Sequence, residues 1–244
     1  MKRIVFLFFL IPFNTNKLNA QYSDSVHHQI SINANGNLNQ TQDGLTYLFN
    51  NQAKFGMKYE DFVMNTSHSY IYGKNPTRYT NKDWNSNLDF NLYKTFPHFY
   101  YWGLMNYTSS LSLKINHQIQ AGLGIAYKFI DTKQSYLGLS NGIIFESSHI
   151  NQNDSTRLHY ETFRNSLRIQ FQYKLSDKIT CRGTYLYQPS LNYKDDYLIN
   201  TSTTIEFKLI KWLSLNTGLI YNKVSRTNRE NLIFNYGLIA NGFF

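Results

Sequence analysis

From residue 27 onward the chain keeps one order: apolar and polar side chains alternate at every second position over stretches of ten or more residues. Ile30, Ile32, Ala34, Gly36 and Leu38 interleave with Ser31, Asn33, Asn35 and Asn37. Successive side chains of a strand point to opposite faces, so this order sets an apolar row against an asparagine-rich one. The pattern recurs in 84–96, 119–129, 163–175, 197–209 and 213–221, and again in the closing NLIFNYGLIANGFF, residues 231–244. No sustained period of 3.6 and no run of 18 apolar residues occurs after residue 20, which excludes helices as the main element.

The connections carry a second order. Short turns beside an aromatic-Lys pair join strands in LYKTFPHFYYWG, AYKFIDTKQSYLG, QYKLSDKITCRG and EFKLIKWLSLN, with a looser relative in MKYEDFV. Between them lie more polar connections: YGKNPTRYTNKD, ESSHINQNDSTRLHY, PSLNYKDDY and KVSRTNREN, with LSLKINH and LNQTQDG the shortest. Counting between connections predicts twelve strands, at 27–39, 46–59, 62–72, 83–95, 99–112, 115–130, 135–148, 159–175, 178–189, 197–208, 212–223 and 231–244. Each is long enough to cross a bilayer at a tilt.

An even strand number, short turns on one side and longer polar loops on the other are the marks of a closed antiparallel transmembrane β-barrel. Lipid offers the backbone no hydrogen-bond partner, so a sheet crosses it only by closing on itself. Composition agrees. Aromatic residues make up 17% of the chain, with 20 Tyr and 18 Phe, while mean hydropathy is −0.45. That pairing fits strands with one wet face and one apolar face better than a dry soluble core. Trp84, Trp102 and Trp212, with Tyr93, Phe96, Phe99, Tyr100 and Tyr127, fall near strand ends and are expected in an interfacial aromatic girdle.

Residues 1–20 stand apart. Lys2 and Arg3 precede an apolar run from Ile4 to Phe13, and Leu18-Asn19-Ala20 suits cleavage between Ala20 and Gln21. This reads as a secretory signal peptide, leaving a barrel domain at 21–244. Ten apolar residues are too few for a helical span. Removing the segment lowers the formal charge from +9 to +6. No dense basic block remains, so no nucleic-acid partner is expected. The lone Cys181 cannot form an intramolecular disulfide.

The sequence resembles the salt-induced outer-membrane protein family, domain of unknown function 481. The resemblance is strongest over YKLSDKITCRGTYLYQPSLNYKDDYLINTSTTIEFKLIKWLSLNTGLIYN, residues 173–222. There a Leu-Ser-Asp-Lys turn leads to Pro189-Ser190-Leu191 and then to Asp195-Asp196-Tyr197. HSYIYGK at 68–74 and QAGLGIAYKFIDT at 120–132 add shorter matches. The resemblance implies a Gram-negative outer-membrane barrel of unsettled role with a link to salt stress. Outer-membrane barrels usually end on an assembly signal for the insertion machinery. Asn235, Tyr236, Gly237 and Phe244 supply its elements, with Phe244 two positions beyond the usual register.

Enzymatic constellations are weak. LGLSNG, residues 137–142, is reminiscent of the His-x-Ser-Asn signature of barrel lipid hydrolases, but Gly138 stands where the histidine should be. A serine such as Ser140 is a poor nucleophile without a base. Asp195 and Asp196 point to opposite faces if extended and read as a solvated loop rather than a calcium site. The seven histidines show no metal-ligand spacing beyond the adjacent His27-His28. No cofactor, metal or catalytic residue is assigned. A barrel lipase or deacylase and a loop-based adhesion protein are the alternative classes.

The inward row carries more. If Phe163, Leu167, Ile169, Phe171 and Tyr173 face lipid, then Arg164 and Arg168 face inward. Strand parity turns Arg182 and Glu206 inward as well, and across the barrel Asp83 and Asp89. These six could line an anion-attracting pore. In the alternative, slightly favoured, carboxylates pair with arginines and fill the barrel. Lys74, Arg78, Lys82, Arg157, Lys194, Arg226 and Arg229 are placed in outer loops, solvated or touching lipopolysaccharide phosphates. The expected state is a monomer in outer-membrane lipid.

Overall fold

In the computed structural model of the protein, residues 27–42, 44–96, 98–132, 134–151 and 156–243 are described. The expected cleavage site at Ala20 and Gln21 and the terminal Phe244 lie outside the described residues. Twelve strands run in order: β1 (His28–Thr41), β2 (Gly44–Tyr59), β3 (Phe62–Lys74), β4 (Tyr79–Phe96), β5 (Phe99–Ser110), β6 (Ile115–Asp131), β7 (Ser135–Asn151), β8 (Arg157–Lys174), β9 (Ile179–Pro189), β10 (Tyr197–Lys208), β11 (Leu213–Val224) and β12 (Arg229–Phe243). Each pairs antiparallel with its sequence neighbours, and β12 returns to β1 to close the barrel.

The alternation read from the sequence sets which face is which. Along β8, Phe163, Leu167 and Ile169 are exposed on the outer wall, whereas Tyr160, Thr162, Arg164 and Ser166 are buried inside. A one-residue slip would put the arginines in the apolar band, so the register is strongly specified. Some outward amides remain, and they satisfy each other. Asn141 and Asn165 exchange two side-chain hydrogen bonds, each of 3.1 Å.

The strands extend further into the polar connections than the alternation suggested. β4 begins at Tyr79 rather than 83, and β7 reaches Asn151 rather than 148. The ladder gives the backbone partners even where side-chain patterning fades. The turn end joins β2–β3, β4–β5, β6–β7, β8–β9 and β10–β11, and β1 begins and β12 ends there. The loop end carries the remaining connections, the longest being 190–196 between β9 and β10.

Two seams depart from regular pairing. β8 and β9 pair only from Lys174–Thr180 to Leu167–Tyr187. Beyond that, the β9–β10 loop fills in: Leu191 N donates to Phe163 O at 2.7 Å, and Asn192 Oδ1 accepts from Phe163 N at 2.7 Å. β1 and β12 are joined by seven residue pairs, from Gln29–Phe243 to Asn35–Gly237. Above them, residues 36–41 pair with β2 and residues 229–236 with β11.

Not every aromatic expected in the girdle is there. Trp84 and Trp212 are on the outer surface, as are Phe96 and Phe99, but Trp102 is 3% exposed and points inward, together with Tyr100. They pack with Ala126, Ile144, Tyr93 and Leu104 inside the turn-side half. Glycines make the room. A Cβ on Gly124 or Gly142 would collide with the Trp102 ring.

Candidate functional site: the barrel lumen

The inward row of every strand is rich in amides and hydroxyls, and these bond along and across strands. Asn85 Nδ2 donates to Asn106 Oδ1 and to Thr108 Oγ1, both at 2.9 Å, and Asn106 Nδ2 donates to Gln120 Oε1 at 3.4 Å. The rows surround a cavity of about 480 Å³. That is within the usual size range of small-molecule sites. Eleven of its lining residues are asparagine, whereas Lys54, Asp83, Arg168 and Arg182 are its charged ones. The wall is therefore dominated by neutral hydrogen-bonding groups.

Toward the loop end the lumen is filled by two layers. Leu113, Ile115, Ile150, Tyr160, Leu198 and Val224 form a buried apolar cluster that joins the β6–β8 wall to β10 and β11. Beside it lies an ion-pair network centred on Arg164. Its Nε donates to Glu146 Oε2 at 2.7 Å, its Nη2 donates to Glu146 Oε1 at 3.0 Å, and its Nη1 donates to Gln188 O at 3.2 Å. The same Nη2 donates to Asp196 Oδ1 at 3.0 Å. Glu146 also accepts from Gln120 Nε2 at 2.7 Å and from the Tyr160 hydroxyl at 2.7 Å. The buried carboxylate thus has its acceptors filled by donors, the buried guanidinium foremost among them.

Asp196 links this network to a second arginine. Arg226 Nε donates to Asp196 Oδ2 at 2.8 Å, and its guanidinium lies 4.0 Å from the Tyr160 ring centroid and 4.2 Å from that of Tyr193. Two readings of the sequence are corrected here. Asp196 is a buried anchor rather than part of a solvated loop, and Arg226 turns into the barrel mouth instead of standing out toward lipopolysaccharide. Asp195 takes the other part of the local geometry, with φ at 61° turning the chain inward. Alternation carries no signal for an ion pair made through a loop, which is why Asp196 was missed; Glu146 is on the inward row of β7 next to Arg164 on β8, and the same strand parity would have found it.

The remaining inward charges are placed as strand parity predicts, in three different settings. Arg182 Nη2 donates to Glu206 Oε2 at 2.8 Å. Asp83 accepts from Asn81 Nδ2, Ser110 Oγ, Ser112 N and Ser112 Oγ at 2.7–3.1 Å. Asp89 accepts from Asn65 and Asn87. Among the described residues Arg168 has no carboxylate within ion-pair distance; its Nε donates to Ser140 Oγ at 3.2 Å, and its guanidinium lies 5.2 Å from the Trp102 ring centroid. The lumen's carboxylates are thus occupied by protein donors, while Arg168 keeps donors spare.

The same contact bears on hydrolase chemistry. Ser140 is bonded by a guanidinium, which has donors only and cannot accept the hydroxyl proton. His117, His149 and His159 are register partners across β6, β7 and β8. They form a line on the outer wall rather than a converging set. Among the described residues no group of three or more His, Cys, Asp or Glu is placed to hold a metal ion.

At the closing seam, Gly237 lies opposite Asn35 on β1 and Asn216 on β11. A Cβ there would collide with Ala34 O and the Asn35 side chain. Asn35 Nδ2 donates to Asn235 Oδ1 at 3.3 Å just above the last pair. Tyr236 points outward to the membrane side.

Comparison with solved structures identifies the architecture. The NanC porin has a TM-score of 0.55 at 10% identity, covering 88% of this chain and 99% of that one. An outer-membrane channel from Pseudomonas putida F1 has a TM-score of 0.53 at 9% identity, covering 95% and 100%. The translocator domain of the autotransporter NalP from Neisseria meningitidis has a TM-score of 0.52 at 10% identity, covering 90% and 89%. At such identities the likeness is one of fold alone. No curated protein matches the sequence. The family model described as "Protein of unknown function, DUF481" matches residues 29–232. The chain belongs to the DUF481 family, and its fold is the closed twelve-stranded barrel of outer-membrane porins.

Proposed function

We propose that the protein is a narrow passive channel for small polar solutes across the outer membrane, non-enzymatic and monomeric, with its loop end facing outward. The observation that carries this reading is the 480 Å³ cavity with its amide lining. A barrel that served only as an envelope strut would gain by filling that volume with apolar side chains, whereas amides and hydroxyls offer a solute replacements for its hydration shell. Arg168 and Lys54, both lining the cavity, favour anions over cations. The buried clasp of Arg164 with Glu146 and Asp196 restricts the loop end, so passage is slow unless that clasp loosens.

Solute entry into proteoliposomes tests the reading. Swelling should be fast with glycerol, slower with a pentose and absent with a trisaccharide. Equal, background-level swelling with all three would leave the barrel a structural element. The link to salt or osmotic stress implied by the family resemblance is a proposal of the same kind. Normal growth of a deletion strain at high osmolarity would remove it.

A further inference from the structure

The β1–β12 seam is paired only in its turn-side half. Residues 36–41 and 231–236 would continue the same register, yet the backbone of each is paired only with the strand on its other side. An unpaired strand edge within a membrane leaves backbone donors and acceptors without partners, at several kcal/mol for each group in hydrocarbon. The comparable break between β8 and β9 is bridged by the β9–β10 loop, whereas among the described residues no loop crosses the β1–β12 break. Over residues 36–41 and 231–236 the two edges are uncharged, reading GNLNQT and NLIFNY, and the charged Arg229 and Glu230 stand beyond them at the loop-side mouth.

The two faces of the break differ sharply. Outward, Leu38 at 65%, Leu232 at 67%, Phe234 at 60% and Tyr236 are highly exposed apolar side chains. Inward, Asn231 and Asn235 of the unpaired part of β12 belong to the lining of the central cavity, as does Asn35 at the last pair. The break therefore joins an amide-lined space to an apolar wall.

We infer that this half-seam is a lateral portal that admits a membrane amphiphile from the loop-side leaflet, its polar group bonded by the seam asparagines and its acyl chain lying along Leu38, Leu232 and Phe234. The absence of charge on both edges selects a head group that is neutral or zwitterionic and rich in hydrogen-bonding groups. The head group also supplies partners to the unpaired backbone edges. This goes beyond axial passage of solutes and does not depend on it.

The test is photocrosslinking in vesicles of phosphatidylethanolamine and phosphatidylglycerol. p-Benzoylphenylalanine replaces Asn231, or Asn37 as a second site, with Asn85 on β4, away from the seam, as the control. Folding of each variant is confirmed by heat-modifiable gel mobility. Illumination should give a phospholipid adduct by mass at 231 or 37, at least fivefold above position 85. In a Cys181→Ser background, a Leu38→Cys/Phe234→Cys pair continues the seam register, and its oxidation should abolish the adduct while reduction restores it. Absence of adduct at both sites, equal adduct at position 85, persistence in the oxidised pair, or a protein–protein dimer in place of lipid would each overturn the portal. A barrel that conducts without an adduct loses the portal alone, and one that gives the adduct without conducting loses the axial channel alone.

Discussion

Arg164 on β8 and Asp196 at the end of the β9–β10 loop meet inside the barrel, with Nη2 donating to Oδ1 at 3.0 Å and to Oδ2 at 3.2 Å. Both are buried. Through this pair a surface loop is fastened to the inner wall, and through Arg226 a second loop joins it. Taking charges out of water is costly, and removing one partner strands the others. Arg164→Ala leaves Glu146 and Asp196 buried without their shared cation. It should lower unfolding stability in urea, measured in detergent micelles, by about 3–5 kcal/mol. A loss under about 1 kcal/mol would mean the network is hydrated and weak.

The three tryptophans provide a direct check on which way the strands face. In single-Trp variants reconstituted with brominated lipids, Trp84 and Trp212 should be quenched by the acyl chains. Trp102 should not, because it lies against Gly124 and Gly142 inside the barrel. Strong quenching of Trp102 would show β5 inverted relative to its neighbours.

That tryptophan also marks where reading the sequence ran short. The barrel and its twelve strands are legible because the period of two persists through every segment, and a closed sheet is its only stable outcome in lipid. Arg164, Arg168 and Arg182 follow from the same parity. Trp102 and Tyr100 were placed by their nearness to a turn, which says nothing about face. The signal that would have corrected them is on other strands, where Gly122, Gly124, Gly138 and Gly142 leave the inward rows of β6 and β7 open. Glu146 was open to the same parity, being on the inward row of β7 beside Arg164, whereas Asp196 was unreadable because its partner is set by how a seven-residue loop folds back.

Gly237 was expected to belong to an assembly signal, and the structure gives it a steric role as well. Gly237→Ala should cost about 1–3 kcal/mol by forcing β12 away from Ala34 and Asn35. Refolding into detergent, with no insertion machinery present, separates the roles. A defect there means seam packing; normal refolding with failure in cells means a recognition signal alone.

Charge selectivity tests the inward cations. Arg168→Ala with Arg182→Ala leaves Asp83, Asp89 and Glu206 in the lumen. The reversal potential in a salt gradient should move toward cation preference, and further when Lys54→Ala is added. An unchanged potential would make these side chains fillers of the barrel wall.

Single-channel recording in planar bilayers tests the central claim most directly. The wild-type barrel should give small, infrequent conductance steps, and Asp196→Ala, which frees the β9–β10 loop from Arg164 and Arg226, should give larger or longer ones. No steps above background from either protein, in any salt, would contradict a solute path through this lumen.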